Sequence, residues 1–163
     1  MAKNKPRANI NRVSVWCAHD KIIHCVELKP NPKNPNKRPE GQIELLGKII
    51  KEQGWRQPIR VSNRSGLIVK GHARLAAACK AGIHKATVDL QDYGSEAAEW
   101  ADMVADNRLA ELAVMDEEML AGLLMDLDAG GLDMELTGFT AKDLEGLFLS
   151  AGPEKEKERP EVE

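Results

Sequence analysis

The stretch from Ile68 to Gly82 limits the fold of this 163-residue chain more than any other. The run Ile68-Val69-Lys70 leads to Gly71, and an alanine-rich segment that ends at Gly82 follows at once. β-branched residues favour strands, alanine favours helices, and glycine commonly ends a helix. The pattern therefore predicts a strand, a sharp turn and a helix within fifteen residues.

The flanking sequence continues this alternation of short strands and helices. In chain order the further predicted elements are a strand at 22–26, an amphipathic helix carrying Ile43, Leu46 and Ile50, a hairpin at 58–61 and 67–69, and a strand at 86–89. Gly54 is expected to end the amphipathic helix. Together these elements predict a small α+β domain, which we place at residues 15–93.

From Ser95 onward the sequence predicts helices only. Ser95, Asp116 and Thr140 are suitable N-caps, and Asp143 completes a variant of the capping box with Thr140. The spacing of Ala97, Trp100, Ala101 and Val104 places Trp100 in the core. The second helix is expected to bury Met119, Leu120, Leu123, Leu124 and Leu127. We therefore expect an acidic helical extension over 94–150, followed by a disordered tail or linker at 151–163.

Charge divides the chain into two halves. Residues 1–85 carry 18 Lys/Arg and 5 Asp/Glu, whereas residues 86–163 carry 5 and 21. A basic half indicates phosphate or nucleic acid as a partner. Residues 1–14 are polar and basic, and we expect a disordered arm there.

Composition excludes several classes of protein. Aromatic residues are only 4% of the chain, too few for a platform that stacks single-stranded bases. No apolar run is long enough for a membrane span, and no signal peptide is recognisable, so no membrane partner is expected. Three cysteines fit a reduced, cytoplasmic protein better than a disulfide framework.

The turn between the strand and the alanine-rich helix is the strongest candidate site. The first amides of a helix lack intrahelical partners and carry partial positive charge, so they favour an anion such as phosphate. Gly71 lets the backbone approach that anion, Arg74 can add a bidentate contact, and His72 a donor. The alternative is an ordinary helix start with a surface arginine.

Three further positions are candidates for nucleotide contacts. The proline-rich segment 30–35 predicts a stiff loop, in which Asn31 and Asn34 could recognise a base. Gln57 precedes a strand and could face the same cleft, while Asn107 is unfavourable within a helix, which suggests a use. Structural roles are the alternative for each.

Cysteine and histidine do not indicate a metal site. Cys17, His19, His24 and Cys25 match no standard zinc spacing. Cys79 is expected to be a small core residue of its helix.

Taken together, these motifs resemble the ParB N-terminal domain, also called the ParB/sulfiredoxin fold, over residues 22–92. The motifs that carry the resemblance are Leu28-Lys29-Pro30-Asn31-Pro32, Gln57-Pro58-Ile59 and Val69-Lys70-Gly71-His72-Ala73-Arg74. The resemblance implies a small mixed sheet with helices, and a nucleoside triphosphate, CTP or ATP, held with Mg²⁺ at the glycine turn.

The second half resembles the segment that follows this domain in phage and prophage proteins, where a DNA methylase often comes next. The matching motifs are Ala105-Asp106-Asn107-Arg108 and Glu135-Leu136-Thr137-Gly138-Phe139. The helix-turn-helix domain of the partition family is not recognisable in this half, and residues 96–149 are acidic, the wrong charge for binding DNA.

The chain also departs from the family pattern. Chromosome-partition members read Gly-Glu-Arg-Arg at the turn, so only Gly71 and Arg74 carry over directly. Asp106 and Asn107 match the start of a later Glu-Asn-x-x-Arg motif, but Ala110 occupies its arginine position. His72 stands where sulfiredoxins have their catalytic cysteine, and Lys70 replaces an acid of the related serine kinases.

The resemblance therefore implies a nucleotide-binding, DNA-associated regulatory or targeting module of phage or prophage origin. It would be the N-terminal part or partner of a DNA methyltransferase, would bind DNA weakly or without sequence preference, and could form a homodimer. The alternative is an enzyme of the same fold: a nucleotide hydrolase, a small-molecule kinase or, less in keeping with the residues, a nuclease. No catalytic residue is assigned.

Overall fold

The computed structural model describes residues 5–150, so the predicted tail at 151–163 lies outside the described residues. The chain divides into two compact units, residues 1–112 and 113–163. The helix that follows Ser95 belongs to the first unit, so the boundary falls after residue 112, whereas the sequence analysis placed it after residue 93.

Within residues 5–112, the first unit contains six strands, three α-helices and one 3₁₀ turn (Cys25–Glu27). Its strands are β1 (Ala8–Ile10), β2 (Val13–Val15), β3 (Lys21–His24), β4 (Ile59–Ser62), β5 (Ile68–Lys70) and β6 (Lys85–Gln91). Its helices are α1 (Glu40–Gln53), α2 (His72–Lys80) and α3 (Glu96–Leu112). The predicted hairpin, alanine-rich helix and last strand are all confirmed.

Four strands form a mixed sheet in the order β3-β6-β4-β5. β6 lies between β3, which is antiparallel to it, and β4, which is parallel. β4 and β5 form the antiparallel hairpin. The predicted class, a small mixed sheet with helices, is confirmed.

An aliphatic core holds the sheet and the helices together. Ile59, Ile68 and Val88 from three neighbouring strands are fully buried, and α1 packs along α2. Trp55 is also part of this core, with only 1% of its surface exposed. Removing such surfaces from water is the main favourable term in folding, and aliphatic side chains supply most of it here.

Residues 8–15 form a β hairpin, which corrects the prediction of a disordered arm for that part of 1–14; residues 1–4 of the predicted arm lie outside the described residues. Ile10, Val13 and Val15 are buried in the core. The backbone N–H of Trp55 donates to the Ser14 carbonyl (2.8 Å), which connects the hairpin to the residues that follow α1. The basic charge of the segment concealed this alternation of apolar residues.

The buried face of α3 is not the apolar one that the spacing predicted. Trp100 is only half-buried, and the Lys33 ammonium lies 3.8 Å from its ring centroid. Glu99 and Met103 are buried instead. Glu99 can be buried because donors from the β4–β5 turn satisfy its carboxylate, as described below.

The second unit, as far as residue 150, contains α4 (Glu117–Ala129), a short 3₁₀ turn (Met134–Thr137) and α5 (Ala141–Ser150). The Asp116 cap of α4 is confirmed: its side chain accepts the Met119 N–H (2.9 Å). The capping box of α5 is also confirmed, with the Thr140 N–H donating to Asp143 (2.8 Å). Leu124 is buried, but Met119 and Leu123 are more than half exposed, contrary to prediction.

No helix within residues 5–150 combines the length and apolarity of a membrane span.

Candidate functional site

The loop at 30–35 and the start of α2 are brought together by a hydrogen bond. The Asn31 backbone N–H donates to His72 Nε2 (3.1 Å) across 41 residues. At the near end of the loop, the Ile68 N–H of β5 donates to the Lys29 carbonyl (2.9 Å). Two of the predicted motifs therefore meet at one end of the hairpin.

The proline-rich loop is held by its own asparagines. Asn31 Oδ1 accepts the Lys33 N–H (2.9 Å), and the Asn31 carbonyl accepts the Asn34 N–H (3.1 Å). Asn34 Oδ1 accepts the Asn36 N–H (3.3 Å). These are asparagine turns, in which a short side chain replaces a backbone acceptor. They make the loop rigid, as predicted, and occupy the carbonyl oxygens of both amides.

Gly71 is the N-cap of α2 and has the left-handed conformation, with φ +97°. A Cβ at this position would lie 3.3 Å from Ile59 Cα on the neighbouring strand, tighter than ordinary packing. No side chain caps this helix end by hydrogen bonding. The first amides of α2 are therefore available for an acceptor, which is the arrangement that binds anions in other proteins.

A pocket of about 260 Å³ lies beside this helix start. It is lined by Gln57, Pro58, Arg60, Lys70, Arg74, Asp89 and Asp106. Arg74 Nη2 donates to Gln57 Oε1, so these two predicted residues are in direct contact. Burial, assisted by the charge of Arg38, lowers the pKa of Arg74 and outweighs the opposing effect of Asp106. Arg74 is thus a partly buried cation, the kind of group that an anion would stabilise.

The far wall of the pocket carries a chain of ion pairs that sequence reasoning missed. Lys70 Nζ lies 2.9 Å from Asp102 Oδ1 and 3.2 Å from Asp106 Oδ1. Arg60 reaches Asp89 (3.2 Å) and Asp102 (3.6 Å). Only the position of Lys70 next to Gly71, and the match of Asp106 to a family motif, signalled these residues. An entering phosphate would compete with these carboxylates for Lys70.

Asn107 does not line the pocket. Its Nδ2 donates to the Met103 carbonyl of its own helix (3.1 Å), which accounts for an asparagine inside α3. Asp106, its neighbour, carries the carboxylate that faces the pocket.

A second polar cluster fixes α3 to the hairpin. The Glu99 carboxylate, 1% exposed, accepts the hydroxyls of Ser62 (2.8 Å) and Ser65 (2.6 Å) and Arg64 Nε (3.1 Å). A buried carboxylate with this many donors is stable as the anion. The cluster therefore sets where α3, and with it Asp102 and Asp106, meets β5.

Acid is expected to weaken the first unit through Glu99 and Asp102. Burial opposes ionisation of both groups, but hydrogen bonds from Ser65 and Ser62 to Glu99, and from Lys70 and Tyr93 to Asp102, lower both pKa values. A carboxyl group whose pKa is lower in the folded state stabilises that state above its unfolded pKa, about 4. This stability is lost as pH falls through the folded value. Urea denaturation of wild type at about pH 6 and about pH 3 should show a lower midpoint in acid. A smaller drop is expected for Glu99→Gln, and an equal drop would contradict the assignment.

The cysteines serve the core or lie at the surface. Cys25 is buried, and its thiol donates to the Ile83 carbonyl (3.3 Å). Burial, together with the neighbouring Cys79, raises the pKa of Cys25 to about 11. Cys79 itself is exposed, which corrects its prediction as a core residue.

Across residues 5–150, no three His, Cys, Asp or Glu side chains converge as a metal site would require.

The sequence also matches a family model in its second half. Residues 118–163 match the ParB-methyltransferase HTH domain. This match supports the predicted resemblance of the second half to a methyltransferase-associated segment. The prediction that this half lacks the helix-turn-helix domain of the partition family rested on its acidic charge, and the match indicates a helix-turn-helix domain of the methyltransferase-associated type. A search of curated proteins gave no match.

Solved structures share the fold. A C-terminally truncated chromosome-partitioning protein ParB from Caulobacter crescentus, in complex with CTP-gamma-S, matches with a TM-score of 0.66 and 22% identity, over 83% of this chain and 80% of that one. The same protein complexed to the centromeric parS site gives 0.46 and 20%, over 83% and 74%. A Pnob8-like ParB-N domain gives 0.45 and 16%, over 72% and 48%. The match to the complex with CTP-gamma-S confirms the resemblance to ParB at the level of the fold.

Proposed function

We propose that the first unit binds a nucleoside triphosphate, CTP or ATP, at the start of α2, as part of a DNA-associated regulatory module. The observation that carries the proposal is the helix start at Gly71, which no side chain caps, together with the partly buried Arg74 that lines the neighbouring pocket. The fold shared with a ParB in complex with CTP-gamma-S supports it, and makes CTP the first ligand to test.

The chemistry of the pocket suits a polyphosphate. Free backbone amides of α2 can bind one phosphate, and the Arg74 fork can bind two oxygens at once. Lys70 supplies a second cation once it exchanges Asp106 for a phosphate oxygen. The loop at Asn31 supplies the polar groups for the nucleoside end.

The residues present also fit a magnesium ion. Asp106 is half exposed and lines the pocket with Arg74. Mg²⁺ is usually held by one or two carboxylates together with phosphate oxygens. Asp106 would be that carboxylate, and the ion would neutralise phosphate charge.

Calorimetric titration with CTP and ATP, with and without Mg²⁺, tests this function. We expect saturable binding of one of the two nucleotides, and tighter binding when Mg²⁺ is present. Assaying the same samples for released phosphate tests the alternative of a nucleotide hydrolase. Absence of heat with every nucleotide would overturn the proposal.

DNA association rests on the basic charge of residues 1–85, which carry 18 Lys/Arg and 5 Asp/Glu. The helix-turn-helix family match of residues 118–163 supports it. Residues 113–150 carry nine acids and one lysine, a balance of −8, so this part is unsuited to hold phosphates. We therefore expect the basic first unit to supply most of the backbone contacts. A partner DNA methyltransferase or other phage protein would then use the acidic unit.

Binding to duplex DNA should fall steeply between about 50 and 200 mM salt, because lysine and arginine contacts release counterions. Fluorescence anisotropy with a labelled duplex measures this slope. Lys142→Glu, which changes the one lysine at 113–150, should leave the slope unchanged. Salt-independent binding, or none at all, would remove DNA from the proposal.

A further inference from the structure

We propose that His72, with its Nε2 unprotonated, is the positioning residue of the nucleotide site at the start of α2: it holds the Asn31 loop, so that ligand binding follows the protonation state of this one imidazole. The inference rests on the proposed function. His72 is one of the positions at which this chain departs from the Gly-Glu-Arg-Arg turn of the partition proteins that it resembles.

The direction of one hydrogen bond fixes the state of the ring. The Asn31 backbone N–H lies 3.1 Å from His72 Nε2. A backbone N–H can only donate, so Nε2 must accept and carries no proton. The neutral imidazole then has its proton on Nδ1. Protonation of Nε2 would place two donors against each other and break the link between α2 and the loop.

The residue held in this way has an unused donor. Asn31 is 4% exposed, and its Nδ2 has no hydrogen-bond partner in the described part of the chain. A buried N–H without an acceptor is destabilising, and such groups are rare in folded proteins. Because Asn31 Oδ1 is occupied by the Lys33 N–H (2.9 Å), the amide cannot turn over without losing that bond. The unused donor is therefore fixed in place, and a ligand acceptor that reached it, such as a carbonyl or ring nitrogen of a base or a phosphate oxygen, would satisfy it.

Burial and a neighbouring positive charge both favour the neutral ring in the free protein. Burial, and then the charge of Arg38 from the segment before α1, lower the pKa of His72. Arg74 lies two residues further along the same helix, and Asp106 from α3 acts on Arg74. Lys33 is drawn towards the Trp100 ring (3.8 Å). The negative charge of a bound polyphosphate would favour the protonated ring. The hydrogen bond from the Asn31 N–H favours the neutral ring, so the two interactions oppose each other.

Two variants distinguish the role of a hydrogen-bond acceptor at position 72 from the role of the charge on the imidazole. The Oε1 of His72→Gln can reach the position of Nε2 and accepts an N–H at every pH, whereas His72→Ala provides no acceptor. Titrations with CTP and ATP over about pH 5.5 to 8 span the range in which histidine changes charge. The phosphates of the nucleotide titrate in the same range, but they contribute equally to wild type and to His72→Gln.

At about pH 7.5, where the ring is neutral, His72→Gln should bind like wild type, and His72→Ala about tenfold or more weakly, as for loss of one positioning hydrogen bond. On acidification, wild type should lose more affinity than His72→Gln. Equal binding by His72→Gln and His72→Ala, or wild type gaining affinity relative to His72→Gln in acid, would overturn the inference. The second result would mean that the imidazolium contacts phosphate directly.

Hydrogen exchange of the Asn31 amide tests the same link without a nucleotide. Protection of this amide should be lost in His72→Ala and kept in His72→Gln, and in acid wild type should approach His72→Ala. If no nucleotide binds but the exchange pattern is as expected, the proposed function fails while the link stands. An unprotected Asn31 amide in wild type would overturn the inference itself.

Discussion

Replacing Glu99 by alanine is expected to cost the first unit about 2–4 kcal/mol of unfolding free energy. The substitution leaves the Ser62 and Ser65 hydroxyls and Arg64 without their common acceptor. Breaking a fully buried ion pair can cost more, but Arg64 is about one-third exposed and water can replace part of its bond. A cavity left by the truncated side chain adds to the loss.

Tryptophan fluorescence during urea denaturation measures this effect in the correct unit. All three tryptophans, Trp16, Trp55 and Trp100, lie in the first unit. The matched control is Glu96→Ala, in the first turn of the same helix, where the side chain is exposed. If the two variants unfold at the same urea concentration, the Glu99 cluster does not stabilise the unit.

Replacing Arg74 by alanine is expected to weaken nucleotide binding about 10- to 100-fold. A hydrogen bond to a charged group is worth about 1.5–3 kcal/mol, and the planar guanidinium can form two at once. Arg74 is already held in place by Gln57, so little ordering is needed when a phosphate arrives. Arg74→Lys keeps the charge without the fork and should recover only part of the affinity.

Calorimetry at one pH and one salt concentration gives this comparison directly. Arg108→Ala is the matched control, because this arginine is 62% exposed and pairs with Glu111 on the surface of α3. Unchanged affinity in Arg74→Ala would place the triphosphate elsewhere. A loss of equal size in Arg108→Ala would indicate a general effect of charge and not a specific contact.

The parts of the fold that the sequence predicted are those set by short-range chemistry. Gly71 followed by alanines, Gly54 at the end of α1 and the turn at residues 63–66 each determine local backbone geometry. The predicted meeting of Gly71, His72 and Arg74 follows from one helix turn alone. The predicted site also included Gln57 and the Asn31 loop. These distant segments could be added because the short motifs occur in the order of the family, which implied their tertiary arrangement.

The features that were missed depend on partners far along the chain. Glu99 is buried because three donors from a turn about 35 residues earlier meet it. Helical periodicity alone therefore selected the wrong face of α3. In the same way, the pocket wall formed by Arg60, Lys70 and Asp106 comes from three separate elements. No spacing rule connects these residues, so only the tertiary fold reveals the ion pairs.

The place of β6 in the sheet has a consequence for the order in which this chain can fold during synthesis. β6 is the last strand to be made, yet it alone joins β3 to the β4–β5 hairpin. Until residue 91 leaves the ribosome, the sheet exists only as a hairpin and an unpaired strand. Closing it joins Lys21 to Val88, a contact of long sequence separation that slows folding. A nascent chain stalled before β6 would therefore expose the apolar faces that the finished sheet buries, and would be the species that chaperones meet.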